Sequence, residues 1–158
     1  MNGKSTPASP TVGEIMTEKL ETINVLNTAQ EAAVKMADKN VGSLAVLDDG
    51  GRALGILTER DLARRICTTS RSSSDVTVEQ IMSSPVVTIK PDYSLEEAAN
   101  VMIEKKVRHL LVVSENNEPL GIVTPTDLAA YIKEAADMRT EKMDSVIRQV
   151  LREHRRYA

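Results

Sequence analysis

Apolar residues along the chain follow two spacings in turn, one typical of strands and one typical of helices. Residues 20–25 alternate apolar and polar side chains, which predicts a short strand. Thr28 and Glu31 then match a capping box, and an apolar stripe at helical spacing follows as far as Asn40. Residues 41–47 form an almost unbroken apolar run, which predicts a strand buried on both faces.

A turn, a returning strand and a second helix complete this block. The Asp-Asp-Gly-Gly sequence at residues 48–51 predicts a hairpin turn, and residues 53–57 predict the returning strand. Helical spacing resumes at Glu59 and continues to about Thr69. The block is therefore a β-α-β-β-α unit, and a short helical turn is expected before it at residues 12–16.

The whole block occurs again 66 residues later. Between residues 12–66 and 78–132, 21 of 55 aligned positions are identical and no insertion is needed. One repeat is too small to bury its sheet face well. We therefore expect an α/β (α+β) fold in which two pseudo-symmetric repeats, residues 12–69 and 78–133, pack sheet to sheet. The other segments are predicted to be a flexible arm, a serine-rich linker and a C-terminal amphipathic helical extension, at residues 1–11, 70–77 and 134–158 respectively.

Each repeat also contains a strand that runs into Thr-x-x-Asp and then a helix. The two copies read Leu54-Gly-Ile-Leu-Thr-Glu-Arg-Asp61 and Leu120-Gly-Ile-Val-Thr-Pro-Thr-Asp127. In one interpretation the motif is a capping box, with Thr as the N-cap and Asp at the third helical position. In the other it is a binding site, because a helix start offers free N–H groups and partial positive charge to a phosphate.

Composition narrows the function classes. A net charge of −3 gives no general attraction for nucleic acid or an anionic membrane. Cys67 is the single cysteine, so an internal disulfide is excluded, and we expect it on the buried side of its helix. No run approaches the ~20 apolar residues of a membrane span. Residues 1–10 lack the apolar core of a signal peptide, so we expect a cytoplasmic protein.

Catalysis is not expected. The chain has no glycine-rich phosphate loop and no serine or cysteine nucleophile with a suitable histidine. His109 and His154 lack the spacing and the carboxylate partners of a metal site. We therefore predict a protein that is not an enzyme and has neither a metal nor a catalytic cofactor.

The repeat resembles a tandem pair of cystathionine-beta-synthase (CBS) domains, the arrangement called a Bateman module. The resemblance covers most of the chain. In the first copy it is carried by Ile15-Met16, Thr22-Ile23, Ala32-Ala33, Val41-Gly-Ser-Leu-Ala-Val-Leu47 and Gly55-Ile-Leu-Thr-Glu-Arg-Asp61. In the second it is carried by Ile81-Met82, Thr88-Ile89, Ala98-Ala99, Val107-Arg-His-Leu-Leu-Val-Val113 and Gly121-Ile-Val-Thr-Pro-Thr-Asp127.

The resemblance implies a regulatory, energy-sensing module that binds an adenine nucleotide (AMP, ADP or ATP) or another adenosyl ligand in the cleft between the repeats. It also implies a stand-alone protein that forms a homodimer and signals through conformation or assembly to a protein target. By position, Asp61 and Asp127 would hold the ribose hydroxyls, and Thr58 and Thr124 would lie on the phosphate side. A carboxylate suits the first role because it accepts from two vicinal hydroxyls at once.

Several other residues belong to the nucleotide-binding set that the resemblance implies, and they make the two copies unequal. Arg60 lies inside the first motif, where a guanidinium could contact a phosphate. Arg108 and His109 begin the second central strand, where the first copy has Gly42, which would permit close backbone approach. Thr22 and Thr88 complete the set. For the charged residues, the alternative is a solvated surface position.

The C-terminal extension has no counterpart in the repeat. Its apolar stripe consists of Met143, Val146, Ile147, Val150, Leu151 and His154. The stripe predicts packing on the rest of the chain or on a dimer partner. The extension also carries four arginines, Arg148, Arg152, Arg155 and Arg156. They leave open an alternative function as an adaptor for nucleic acid or a partner protein, although arginines without interleaved aromatics are a weak signal for nucleic acid.

Overall fold

Thirteen helices and strands make up the part of the chain that the computed structural model describes, residues 10–135 and 141–156. Those of the first repeat are α1 (Val12–Ile15), β1 (Thr22–Asn24), α2 (Ala29–Lys39), β2 (Ser43–Leu47), β3 (Ala53–Thr58) and α3 (Glu59–Arg65). Those of the second are α4 (Val78–Ile81), β4 (Thr88–Ile89), α5 (Leu95–Lys105), β5 (Leu110–Val113), β6 (Pro119–Val123) and α6 (Pro125–Glu134). A last helix, α7 (Glu141–Arg156), follows. Residues 1–9 of the predicted arm lie outside the described part.

The strands form two three-stranded sheets with the same order, β1-β2-β3 and β4-β5-β6. In the first sheet β1 is parallel to β2, and β2 is antiparallel to β3. Thr22, Ala45 and Ile56 lie in one row across its three strands. In the second sheet β4 runs parallel to β5, with Thr88 opposite Leu111. The mixed α/β fold class predicted from the sequence is confirmed.

The long helix of each repeat begins and ends in the same way. Thr28 caps α2 by accepting from the Glu31 N–H at 3.1 Å, and Ser94 caps α5 by accepting from the Glu97 N–H at 3.1 Å. The helices end at Asn40 and Lys106, which have φ angles of 53° and 54°. Since a left-handed residue closes a helix, the predicted end at Asn40 is confirmed.

The apolar runs form the centre of each sheet. Leu44, Ala45 and Val46 of β2 are at most 1% exposed, so this strand is buried on both faces as predicted. All four residues of β5 are likewise buried. Around β2, side chains from α2, β3 and α4 complete a cluster that includes Ala32, Met36, Leu57, Val78 and Ile81.

The described residues fall into two compact units, and neither unit is one continuous stretch of chain. One unit takes its described residues from Met1–Thr17, Thr88–Val112 and Ile122–Ala158, and the other consists of Glu18–Val87 and Val113–Gly121. The opening segments of the two repeats, residues 12–17 and 78–87, therefore each belong to the unit that contains the main elements of the other repeat. We call them the exchanged segments. This exchange was not anticipated from the sequence.

Backbone hydrogen bonds hold both exchanged helices. In α1, the N–H groups of Val12 and Gly13 donate to the carbonyls of Tyr93 and Pro91, each at 2.8 Å. In α4, the Val78 N–H donates to the Asn27 carbonyl at 2.8 Å. Each of these four-residue helices satisfies free N–H groups at its start with carbonyls of the loop that precedes the long helix.

Helix α3 is shorter than predicted. It ends at Arg65, and the Ile66 N–H closes its last turn on the Leu62 carbonyl at 3.0 Å. Cys67 therefore lies beyond the helix, and it is exposed. The expectation that Cys67 is a buried helix residue was wrong, because the helical spacing around Leu62 and Ile66 does not extend past the turn that stops the helix.

The tail helix packs on its own chain. Helix α7 lies against α5 and α6, and Ile147 and Val150 of its apolar stripe are 0% and 4% exposed. The side chains of Met143 and Arg156, which were also singled out, lie outside the described part.

No helix in residues 10–135 or 141–156 is long and apolar enough to cross a membrane.

Candidate functional site

The first Thr-x-x-Asp motif forms a closed capping box at the start of α3. The backbone N–H and the hydroxyl of Thr58 both donate to Asp61 Oδ2, each at 2.9 Å. The Asp61 N–H donates back to Thr58 Oγ1 at 3.2 Å. The Asp61 side chain is 13% exposed and Arg65 Nε lies 3.9 Å from its Oδ1 atom. The carboxylate is thus fixed in orientation and reaches the surface at one edge.

The second motif forms the same two bonds to its carboxylate at the start of α6. The Thr124 N–H donates to Asp127 Oδ2 at 2.7 Å, and the Thr124 hydroxyl donates to the same atom at 2.9 Å. Pro125 occupies the first turn of the helix, where the missing N–H costs no hydrogen bond. Both motifs therefore serve as helix caps, and in both of them the second carboxylate oxygen points away from the cap.

That second oxygen is approached by a hydroxyl that was missed in the sequence. Ser83 Oγ donates to Asp61 Oδ1 at 3.4 Å, and Thr17 Oγ1 donates to Asp127 Oδ1 at 3.3 Å. Ser83 and Thr17 occupy equivalent positions, 66 residues apart, in the two exchanged segments. The signal was present as a hydroxyl residue after Ile-Met in both repeats, but it gave no indication of which aspartate each would reach.

Backbone pairing fixes these two hydroxyl residues. Ser83 and Ile56 exchange N–H···O bonds of 2.9 and 3.1 Å. Thr17 and Ile122 exchange bonds of 2.9 and 3.1 Å in the same way. Each exchanged segment thereby adds one paired residue beside the strand that leads into Thr-x-x-Asp, two residues before the threonine.

Gly42 and Thr22 lie in the same unit as Thr58 and Asp61. The Gly42 carbonyl accepts from the Glu59 N–H at 3.1 Å, so this glycine contacts the start of α3 directly. Thr22 lies across the sheet on β1, where its carbonyl accepts from Lys35 Nζ at 2.5 Å. The structure brings Gly42, Thr58 and Asp61 together at one end of the sheet, with Thr22 two strands away.

The arginines and His109 are not placed in one unit. Arg60 is half-buried on α3, whereas Arg108 and His109 are half-buried just before β5 in the other unit, which also contains Thr88, exposed on β4. Arg108 Nη2 lies 3.2 Å from His154 Nε2 on α7. Because arginine has no acceptor, His154 accepts through this nitrogen, and Arg108 contacts the tail helix.

Other surface features do not coincide with these residues. An open groove follows α2 and is lined by Gln30, Glu31, Val34, Lys35, Asp38 and Lys39, none of which is among the predicted site residues. Within residues 10–135 and 141–156, no group of three or more His, Cys, Asp or Glu side chains could hold a metal ion. The capped aspartates are not part of the lining of this groove.

Comparison with known families decides what this duplicated architecture is. A model of the CBS domain matches residues 12–68 and again residues 78–134, which together are more than half of the chain. This chain belongs to the CBS-domain family. CBS pairs are regulatory modules. A relative, the uncharacterized protein MK0525 of Methanopyrus kandleri, is 34% identical over 120 residues, which cover 76% of this chain and 61% of that protein.

Solved CBS structures have the same fold. The conserved CBS-domain protein TA0289 of Thermoplasma acidophilum superimposes with a TM-score of 0.76 at 27% identity, covering 93% of this chain and 77% of that one. The CBS domain pair of protein MJ0100 superimposes with a TM-score of 0.69 at 25% identity, covering 80% and 98%. That pair was solved in complex with 5'-methylthioadenosine and S-adenosyl-L-methionine.

Proposed function

We propose that this CBS pair is a non-catalytic regulatory module that binds an adenosine-containing ligand, an adenine nucleotide or an adenosyl compound, with Asp61 and Asp127 as ribose anchors. The observation that carries the proposal is the duplicated carboxylate geometry. In each copy Oδ2 is occupied by the cap, while Oδ1 accepts a single long hydroxyl bond among the described residues. The solved complex of the MJ0100 pair with two adenosyl compounds supports the ligand class.

The chemistry of the carboxylate agrees with a ribose. A carboxylate has roughly four acceptor positions, so capping leaves capacity for vicinal hydroxyls. The cap also holds the side chain in one orientation before a ligand arrives, which lowers the ordering cost of binding. Arg60 and Arg108 are the proposed contacts for phosphate, since guanidinium groups bind phosphate in two-point geometry. The remaining proposed contacts are Thr58, Thr124, Gly42, His109, Thr22 and Thr88.

Isothermal titration calorimetry of the purified chain tests the proposal. AMP, ATP and S-adenosyl-methionine are titrated in turn into the unmodified protein and into Asp61→Asn and Asp127→Asn. Asparagine keeps an oxygen for the cap but removes the charge and one acceptor. Each substitution should weaken binding at its own site by about tenfold, since a hydrogen bond to a charged group contributes roughly 1.5–3 kcal/mol.

Asp38→Asn provides the control, because Asp38 is an exposed carboxylate on α2 outside the proposed site. Its affinity should equal that of the unmodified chain. No heat of binding and no thermal shift with any of the three ligands at millimolar concentration would reject adenosyl sensing. Equal affinity and stoichiometry in a double Asp61→Asn, Asp127→Asn variant would reduce both residues to helix caps.

A second candidate function is favoured by the outer face of α7. Arg148, Arg152 and Arg155 are exposed on this helix while its apolar side packs on α5 and α6. A basic face on a docked helix could bind nucleic acid or an acidic protein partner. Signalling from the adenosyl site to a protein target, through conformation or through a homodimer, remains the main proposal.

A further inference from the structure

We infer that Thr17 and Ser83 are positioning residues for the two ribose anchors, and that each anchor is completed by the opening segment of the opposite repeat. Thr17, from the first repeat, serves Asp127 of the second, and Ser83, from the second repeat, serves Asp61 of the first. The inference rests on the proposed function, because it specifies how the same two carboxylates are held for a ribose.

The hydroxyl contact is the same in both copies, although Arg65 Nε also lies 3.9 Å from Oδ1 of Asp61. Each hydroxyl lies 3.3 or 3.4 Å from the Oδ1 atom that the cap does not use. Each hydroxyl residue is also held by two backbone hydrogen bonds to the strand that leads into the motif. A paired backbone limits the side chain to rotation about χ1. The hydroxyl is therefore held beside the carboxylate by an isolated β-bridge to the strand.

The chemistry distinguishes this hydroxyl from the capping threonine. The Thr58 and Thr124 hydroxyls donate to Oδ2 at 2.9 Å, close to the usual O–H···O distance. A carboxylate oxygen has about two acceptor positions, so Oδ1 retains acceptor capacity beside the longer bond from Ser83 or Thr17. A hydroxyl has one donor and two acceptor positions. While it donates to Oδ1, it presents acceptors to the second hydroxyl of a ribose bound there.

Because each hydroxyl comes from the opposite repeat, its removal should affect only the site in that opposite repeat. Loss of the Thr17 hydroxyl should weaken binding at the Asp127 site and leave the Asp61 site unchanged, although Thr17 is closer to Asp61 in sequence. Loss of the Ser83 hydroxyl should do the reverse. A hydroxyl that merely stabilised the fold would not produce this crossed pattern.

Calorimetry with AMP in backgrounds that silence one site tests the pattern. In Asp61→Asn, where the Asp127 site remains, Thr17→Val should weaken binding by about three- to tenfold and Thr17→Ser should restore it, since a typical hydrogen bond contributes a net of roughly 0.5–1.5 kcal/mol and this bond to the carboxylate is long. In Asp127→Asn, Ser83→Ala should have the same effect and Ser83→Thr should restore binding. Each variant placed in the opposite background should leave affinity unchanged.

Ser84→Ala is the matched control. Its hydroxyl lies in the same exchanged segment but donates to the Leu54 carbonyl at 3.2 Å. Thermal unfolding without ligand runs alongside, so that a general loss of stability is separated from a loss at one site. If the unmodified chain binds only one AMP molecule, the variants of the hydroxyl residue at the occupied site test the inference.

Unchanged affinity with Thr17→Val and Ser83→Ala, or an equal loss in both backgrounds, would overturn the positioning role while leaving the proposed function in place. Tighter binding would also overturn it, because the hydroxyl would then be a competitor of the ribose. If AMP, ATP and S-adenosyl-methionine all fail to bind the unmodified chain, the proposed function fails, and this inference fails with it.

Discussion

Gly55 and Gly42 both lie near the first Thr-x-x-Asp motif, and their surroundings differ. A Cβ atom added at Gly55 would lie 2.6 Å from the Ser83 carbonyl oxygen and 2.8 Å from Met82 Sδ. A Cβ atom added at Gly42 would meet Glu59 Oε2 at 3.4 Å, an ordinary contact with the end of a flexible side chain. The glycine of the Leu-Gly-Ile sequence is therefore required by the close approach of the exchanged segment.

Gly55→Ala should destabilise the protein by about 1–3 kcal/mol, the range for overpacking against a position that cannot retreat without breaking its hydrogen bonds. Gly42→Ala is the matched control and should change stability by less than about 0.5 kcal/mol. Urea denaturation followed by circular dichroism measures both. Equal stability of the two variants would show that the Ser83 segment moves away at little cost.

At the scale of helices, the caps of α2 and α5 make stability depend on pH. A hydrogen bond from the Thr28 N–H, with further bonds from Asn27 and the Thr28 hydroxyl, lowers the pKa of Glu31 below its ordinary value of 4.5. The bond from the Ser94 N–H likewise lowers the pKa of Glu97 below 4.5. Because the unfolded chain binds these protons first, the caps contribute stability above pH 4.5 and lose it as the pH falls through the lowered values.

Glu31→Gln and Glu97→Gln should therefore flatten the loss of stability on acidification below about pH 4.5, because glutamine can still cap the helix and has no proton to bind. Thermal unfolding from pH 6 to pH 3 measures the slope. Glu104→Gln, at an exposed position on α5, is the control and should keep the slope of the unmodified chain. If all three variants lose stability on acidification as steeply as the unmodified chain, these caps are not a source of the pH dependence.

Helix α7 stabilises the unit on which it packs. Ile147 is fully buried, so Ile147→Ala should lower the free energy of unfolding by about 2–5 kcal/mol. Gln149→Ala, exposed on the same helix, should have little effect. AMP affinity measured under conditions where the variant is folded should stay unchanged if the helix serves packing alone. A variant as stable as the unmodified chain would mean that α7 does not remain docked in solution.

Replacing Arg148, Arg152, Arg155 and Arg156 with glutamine separates the second candidate function from packing. If the tail only packs, these substitutions should leave the melting temperature within a few degrees and produce no change in a shift assay with mixed RNA. Salt-sensitive RNA retention by the unmodified chain, lost in the four-arginine variant, would favour a nucleic-acid role, since phosphate contacts weaken steeply with salt.

For the molecule as a whole, the sequence predicted the elements well because its signals are local. The capping pairs Thr28–Glu31 and Ser94–Glu97 and the apolar run of β2 each report on neighbouring residues. The duplicated register then carried the assignments from one repeat to the other, and in the structure α2 and α5 end at the equivalent left-handed residues Asn40 and Lys106. The caps at Thr58 and Thr124 were predicted for the same reason.

Contacts between distant segments could not be predicted in this way. Hydrophobic spacing shows that residues 12–16 form a helical turn, but it does not show which sheet that turn docks onto. The Thr17–Asp127 contact spans 110 residues, and the contact of Arg108 with His154 spans 46. The error for Cys67 arose because the predicted helix was too long, since the helical spacing continued beyond the turn that ends α3. The roles of Arg60 and His109 toward a ligand stay predictions.

The exchanged segments also bear on ancestry. Ser83 pairs with Ile56, and 66 residues along, Thr17 pairs with Ile122, so each third strand receives its extra residue from the copy it does not belong to. In an ancestor with a single repeat, two identical molecules would have exchanged this segment, as in a domain-swapped dimer. Gene duplication and fusion would then have placed both segments in one polypeptide. The two repeats would have been able to diverge, as they have at the equivalent positions Gly42 and Arg108.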